Sequence, residues 1–130
     1  MPNGPDMQAS PTPRRTLKPP LRVGTVPIEG GRPRFMGYAS DLSETGVFVQ
    51  TLRPRDIGER VRVVLFASGA PNGILCADAE VRWLRGYSGT RAPAAGMGLA
   101  FVNLGKVERS FLRGYCAEHG EPLATHHVLD

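Results

Sequence analysis

Cysteine, histidine and tryptophan are scarce in this chain of 130 residues, which holds two, three and one of them. The two cysteines, Cys76 and Cys116, show no metal-ligand spacing. Each falls in a segment with a buried-looking face, so both are expected as inert core thiols in a reducing compartment. His119, His126 and His127 crowd the C-terminal end. The adjacent pair has no third ligand near it in sequence, so a metal site is not indicated. No apolar run approaches the ~18 residues of a membrane span, and residues 1–13 lack the apolar core of a secretory signal. These absences point to a cytoplasmic protein without membrane insertion.

Catalytic groupings are also missing. There is no nucleophile–base pair, metal triad or phosphate-cradling glycine loop at a helix start. Gly30-Gly31 and Gly96-Met97-Gly98 fit a hairpin turn and a strand instead. The expected protein is therefore not an enzyme and carries no cofactor. Aromatic residues amount to five Phe, three Tyr and one Trp. Most of them, including Trp83, Phe101 and Phe111, fall at core-phase positions. Single-stranded nucleic-acid binding, which needs exposed rings between basic residues, is accordingly not expected.

What the chain does have is an ordinary globular composition, 41% hydrophobic and 22% charged. Its length fits one domain with tails. A net charge of +4 is compatible with an anionic partner but is also ordinary for a solvated surface. Residues 1–20 hold Pro2, Pro5, Pro11, Pro13, Pro19 and Pro20 and almost nothing apolar. Such a segment cannot bury enough surface to offset its ordering entropy, so a flexible basic arm is expected there. Arg14, Arg15 and Lys18 stand against Asp6 alone within it.

Strand signals then follow at even spacing. Residues 21–28 are β-branched, with Pro27 at a strand end, and residues 35–40 and 47–51 flank a tight bend. Residues 60–66 alternate Val61, Val63 and Leu65 against arginines. Ala77, Ala79, Val81 and Trp83 form the cleanest period-two face, which places Trp83 in the core. Residues 95–102 make the sixth strand. Val107, Phe111, Leu112, Tyr115 and Cys116 then form one helical stripe able to lie across a barrel opening. Asn103 or Gly105 would cap that helix, and Gly120 with Pro122 would end it. The reading is all-β: a six-stranded antiparallel barrel over residues 21–118 with a C-terminal helix, preceded by a disordered N-terminal arm (1–20) and followed by a tail (119–130).

The bend is Asp41-Leu42-Ser43-Glu44-Thr45-Gly46. Asp and Ser side chains can bond nearby backbone N–H groups and hold a turn, and glycine permits close backbone approach. The same residues could meet a ligand at the strand end. The pattern Asp-x-Ser-x-x-Gly followed by a β-rich run resembles the second signature of PilZ domains, bacterial β-barrels many of which bind cyclic di-GMP. The family's upstream Arg-x-x-x-Arg signature is matched in part by Arg14-Arg15-Thr16-Leu17-Lys18, with lysine in place of the second arginine. A register of Lys18-x-x-x-Arg22 is equally incomplete. Residues 96–104 resemble the last barrel strand of the family, in particular of a branch abundant in myxobacteria and their relatives.

The resemblance implies Arg14, Arg15, Lys18, Asp41, Ser43 and Gly46 as contacts for cyclic di-GMP. The chemistry of each residue type suits that ligand. Arginine pairs bidentately with a guanine edge and stacks on its plane, aspartate accepts from guanine N–H groups, and serine offers a hydroxyl of either sense. Lysine neutralises a phosphate without the planar double bond. Two functions stay open: a cyclic di-GMP receptor signalling through protein contacts, and an adaptor that works by protein–protein interaction in motility or polarity without the ligand. Either requires a protein partner that the sequence does not identify.

Overall fold

The alternation of residues 75–81 becomes a strand with two unlike faces. Leu75, Ala77, Ala79 and Val81 are buried while Cys76 and Asp78 are exposed. The computed structural model describes residues 15–27, 31–86 and 94–122. The strands are β1 (Arg15–Val26), β2 (Arg34–Leu42), β3 (Gly46–Gln50), β4 (Arg60–Phe66), β5 (Ile74–Arg85) and β6 (Gly96–Val102). Helix α1 (Lys106–His119) follows, and then a short strand, β7 (Gly120–Pro122). The antiparallel order β2-β3-β6-β5-β4-β1 closes through a further β1–β2 pairing, a six-stranded barrel with β7 added to β1.

Closure abolishes free sheet edges and leaves one interior for the apolar set. Val23, Ala39, Leu42, Val49, Val63, Leu65, Ala79, Val81 and Met97 are fully buried. Helix α1 starts at Gly105, places Glu108 in its first turn and ends at Gly120, whose N–H bonds the Cys116 carbonyl. Its buried face is Leu112 and Cys116, with Phe111 and Tyr115 packed partly against the same cluster. Four members of the expected stripe thus lie on the barrel core, whereas Val107, in the first turn, is 77% exposed.

Three placements differ from the sequence reading. Strand β1 begins at Arg15, so residues 15–20 are strand where an arm is expected, and Gly120–Pro122 are strand where a tail is expected. The cause is tertiary: Thr16 pairs with Asp41 on one side and with Glu121 on the other. Pro19 and Pro20 fall in an irregular stretch, where the register jumps from Thr16/Asp41 to Leu21/Ala39. Prolines have no N–H to give a ladder, and a bulge accommodates them.

Trp83 is the second difference. The register shifts between Val81 and Trp83, so Val81 faces Leu99 while Trp83 faces Gly98. One extra residue reverses the side to which later side chains point. Trp83 therefore stands outside the barrel, half-buried.

The third difference concerns Cys76, which is exposed, while Cys116 is buried and donates its S–H to the Leu42 carbonyl at 3.4 Å. Cys76 faces Val64 across the ladder in a row outside the interior cluster. In a disulfide-exchange titration of the folded protein, Cys76 should react fast and Cys116 only on unfolding. Cys76→Ser should abolish the fast phase, and two fast thiols would contradict the placement of Cys116.

Candidate functional site

The bend between β2 and β3 is held by its own polar groups. Ser43 N–H donates to the Gly46 carbonyl at 3.0 Å, and the Ser43 hydroxyl accepts the Thr45 N–H at 3.1 Å. The Ser43 and Thr45 hydroxyls lie 2.9 Å apart. Ser43 is 1% exposed, so this buried hydroxyl is satisfied within the turn. Gly46 has a structural reason of its own. A Cβ there would run into the Leu99 carbonyl of β6, and Phe101 N–H donates to the Thr45 carbonyl at 2.9 Å. The glycine thus lets the bend close down on the last barrel strand.

Asp41 is half-buried and faces outward, and Thr16 Oγ1 approaches its Oδ1 at 3.5 Å. Arg15 pairs with Leu42, one step further along, so it takes the opposite side of the sheet from Thr16 and Asp41. Its charge is felt by the Cys116 thiol. Lys18 lies in the irregular stretch of β1, and Arg14 lies outside the described residues. The fold therefore gathers Asp41, Ser43 and Gly46 in one hairpin and brings the root of the basic leader beside it. It does not bring Arg15 onto Asp41's face.

Glu44, at the crest of the bend, is tied to the helix. Arg113 grips it with both arms of its fork, Nε to Oε2 at 3.3 Å and Nη2 to Oε1 at 2.9 Å. Arg109 stands 3.8 Å away. The hydrogen bond and charge of Glu44 raise the Arg113 pKa above its ordinary value. Together with the Cys116–Leu42 bond, these contacts fasten α1 to the bend.

A neighbouring group was not legible in the chain. Asp41 pairs with Phe48, Phe48 with Gly98, and Gly98 with Trp83, so all four share one outward row. The Phe48 and Trp83 rings stack at 5.2 Å and 14°, and the Arg85 guanidinium lies 4.5 Å and 5.5 Å from their centroids. Gly96 and Gly98 supply the floor. A Cβ on Gly98 would meet the Trp83 indole, and one on Gly96 the Phe48 ring at 2.8 Å. Strands about 4.8 Å apart put Asp41 roughly 14 Å from Trp83 along this row. The available signal was glycine at alternate positions of β6, which bares one face for rings from both neighbouring strands.

The site therefore sits on the outside of a small closed β-barrel, at a strand end backed by a helix. A PilZ domain model matches residues 13–118, and the chain belongs to the PilZ domain family. No curated protein matches it. Among solved structures, YcgR from Escherichia coli in complex with c-di-GMP is similar at TM-score 0.60 and 16% identity, over 79% of this chain and 42% of that one. The Bacillus subtilis inhibitor of motility, MotI/DgrA, is similar at 0.63 and 17%, over 84% and 50%. The isolated PilZ domain of YcgR with c-di-GMP gives 0.58 and 16%, over 79% and 85%. The chain thus spans about half the length of the first two proteins or less. At these identities the likeness is one of fold.

Two outcomes follow from this geometry. Gly46→Ala should lower stability by about 1–3 kcal/mol, the usual range for overpacking, measured as a shift in urea midpoint with the far-ultraviolet spectrum retained. Burial pushes the Cys116 thiol up to about 11, against the smaller pull of Arg15, from an ordinary value near 8.5. The raised value means that the folded state favours the neutral thiol. Its contribution is complete below the ordinary value and is lost as pH rises toward the folded one. The midpoint should therefore fall more steeply above about pH 8.5 in the native protein than in Cys116→Ala; equal slopes would remove Cys116 as the cause.

Proposed function

We propose that this protein is a cyclic di-GMP receptor that signals through protein contacts. The carrying observation is the Thr16–Asp41 pairing, which sets the root of the basic leader beside the intact Asp-x-Ser-x-x-Gly bend. The proposed contact set is Arg14, Arg15, Lys18, Asp41, Ser43 and Gly46. Within it Arg14 supplies the planar donor for a guanine edge, Lys18 supplies positive charge for the phosphodiesters, and Asp41 accepts from guanine N–H groups. Arg15, which faces the other side of the sheet, would add charge only by turning toward the ligand. Ser43 and Gly46 act chiefly by fixing the bend that aims Asp41. On the same row the half-buried Trp83 ring, backed by the buried Phe48, is an aromatic on which a base could stack.

Membership of the PilZ family supports a ligand-reading rather than a catalytic role. A ligand held between the leader and the bend would change the surface offered to a partner. Glu44 then links the occupied bend to α1, because Arg109 and Arg113 hold it from the helix side. Lysine at position 18, where the family signature has arginine, favours a second reading: an adaptor in motility or polarity regulation that works without the nucleotide.

Calorimetry with cyclic di-GMP tests the receptor. The expected Kd is micromolar or tighter, about −8 kcal/mol. Arg14→Ala and Asp41→Ala should each weaken it at least tenfold, and Trp83→Ala by a smaller factor. Absence of heat at hundreds of micromolar ligand would overturn the receptor and leave the adaptor.

A further inference from the structure

The far end of the β1–β2 hairpin carries a surface that the bend does not use. Register places Phe66, Arg22 and Tyr38 side by side on β4, β1 and β2, because Arg22 pairs with both rings' residues. Arg22 lies 5.3 Å over the Phe66 ring. Phe35 packs edge-on against Tyr38 at 5.3 Å between centroids. Phe35 is 59% exposed and Tyr38 46%, among the most exposed large apolar side chains of the described residues. Arg32 and Arg34 stand exposed beside Phe35.

Several arginines at this end stand together without carboxylate partners. Arg55, Arg60, Arg62, Arg82, Arg109 and Arg113 each have a carboxylate within 4.0 Å. Among the described residues, Arg22, Arg32 and Arg34 have no such partner; Arg15, Arg53, Arg85 and Lys106 also lack one but are scattered over the barrel, whereas these three share one hairpin. Water solvates isolated arginines and rings cheaply one at a time. Three unmatched cations around two open rings instead match the arginine and aromatic make-up of energetic centres in protein interfaces.

We infer that this hairpin end, built from Arg22, Arg32, Arg34, Phe35, Tyr38 and Phe66, docks an acidic, apolar-anchored segment of a partner protein. The edge-on Phe35–Tyr38 pair closes one ring face and leaves a corner suited to an aliphatic side chain. Single-stranded nucleic acid fits less well. It requires successive open ring faces along a basic groove, whereas here Arg22 covers the Phe66 ring and Phe35 packs edge-on against Tyr38. Phe35 lies six positions along β2 from Asp41, about 20 Å at strand rise, and Tyr38 three positions, about 10 Å. The surface is therefore distinct from the bend and does not depend on the nucleotide reading.

Fluorescence anisotropy on the full chain tests it with three labelled probes: a twelve-residue Glu/Leu peptide, its Lys/Leu counterpart and a twelve-nucleotide oligothymidylate. The acidic peptide should bind at least tenfold tighter than the basic one. Arg22→Glu with Arg34→Glu, and separately Phe35→Ala with Tyr38→Ala, should each weaken it at least tenfold, while Arg55→Glu leaves it unchanged. All five side chains are at the surface, and unaltered thermal midpoints would show that the variants fold. No binding of the acidic peptide, or equal binding by all variants, would overturn the inference. So would tighter binding of the oligothymidylate, which would assign the surface to nucleic acid. Cyclic di-GMP titration of the same variants reads the bend separately.

Discussion

Pairing of β1 with β2 on one side and β4 on the other is the interaction on which the molecule depends. It closes the sheet, so the backbone groups of six strands satisfy one another and the apolar faces share one interior. The pairing does more than close the barrel. By continuing past Pro19-Pro20 to Thr16 and Arg15, it carries a basic, proline-rich leader to the Asp41 bend. A strand that stopped at Leu21 would leave the same barrel without that meeting.

The bend in turn shows one set of residues serving two ends. Ser43 and Gly46 are consumed by the turn and by the approach to β6, which makes Asp41 the outward polar group of the signature. Glu44, a variable position in the motif, is the residue that Arg113 and Arg109 clamp. Helix α1 is therefore coupled to the bend through a side chain that the motif does not specify. Its core contacts, Leu112 and Cys116, resist displacement because truncating a buried leucine costs about 2–5 kcal/mol. A change at the bend has a short physical route to the helix.

The outer surface divides into regions of different chemistry. The Phe48–Trp83–Arg85 stack lies flat on the glycines of β6, on the row that begins at Asp41. The β4–β5 surface neutralises itself through Arg62–Asp78 and Arg60–Glu80. The end of the β1–β2 hairpin leaves its arginines and rings open. Such a division follows from cross-strand register, since residues that are distant in the chain become neighbours only when their ladders align.

The chain alone determined the fold class, the six strand segments, the helix with its glycine start and stop, and the bend as the place of interest. Each of these rests on short-range chemistry: period-two and helical spacing, turn-forming side chains, and glycine and proline at element ends. Tertiary structure decided the rest. The leader became strand from Arg15 because partners on two sides, Asp41 and Glu121, satisfy its backbone. Trp83 went outside because one bulge at position 82 reversed the facing of the strand end, and there it covers Phe48 over two glycines of β6. Arg15 turned from Asp41 toward Cys116 by the same alternation. Local sequence carries no record of how far a partner strand is shifted, and a shift of one residue decides which side of a barrel a side chain inhabits.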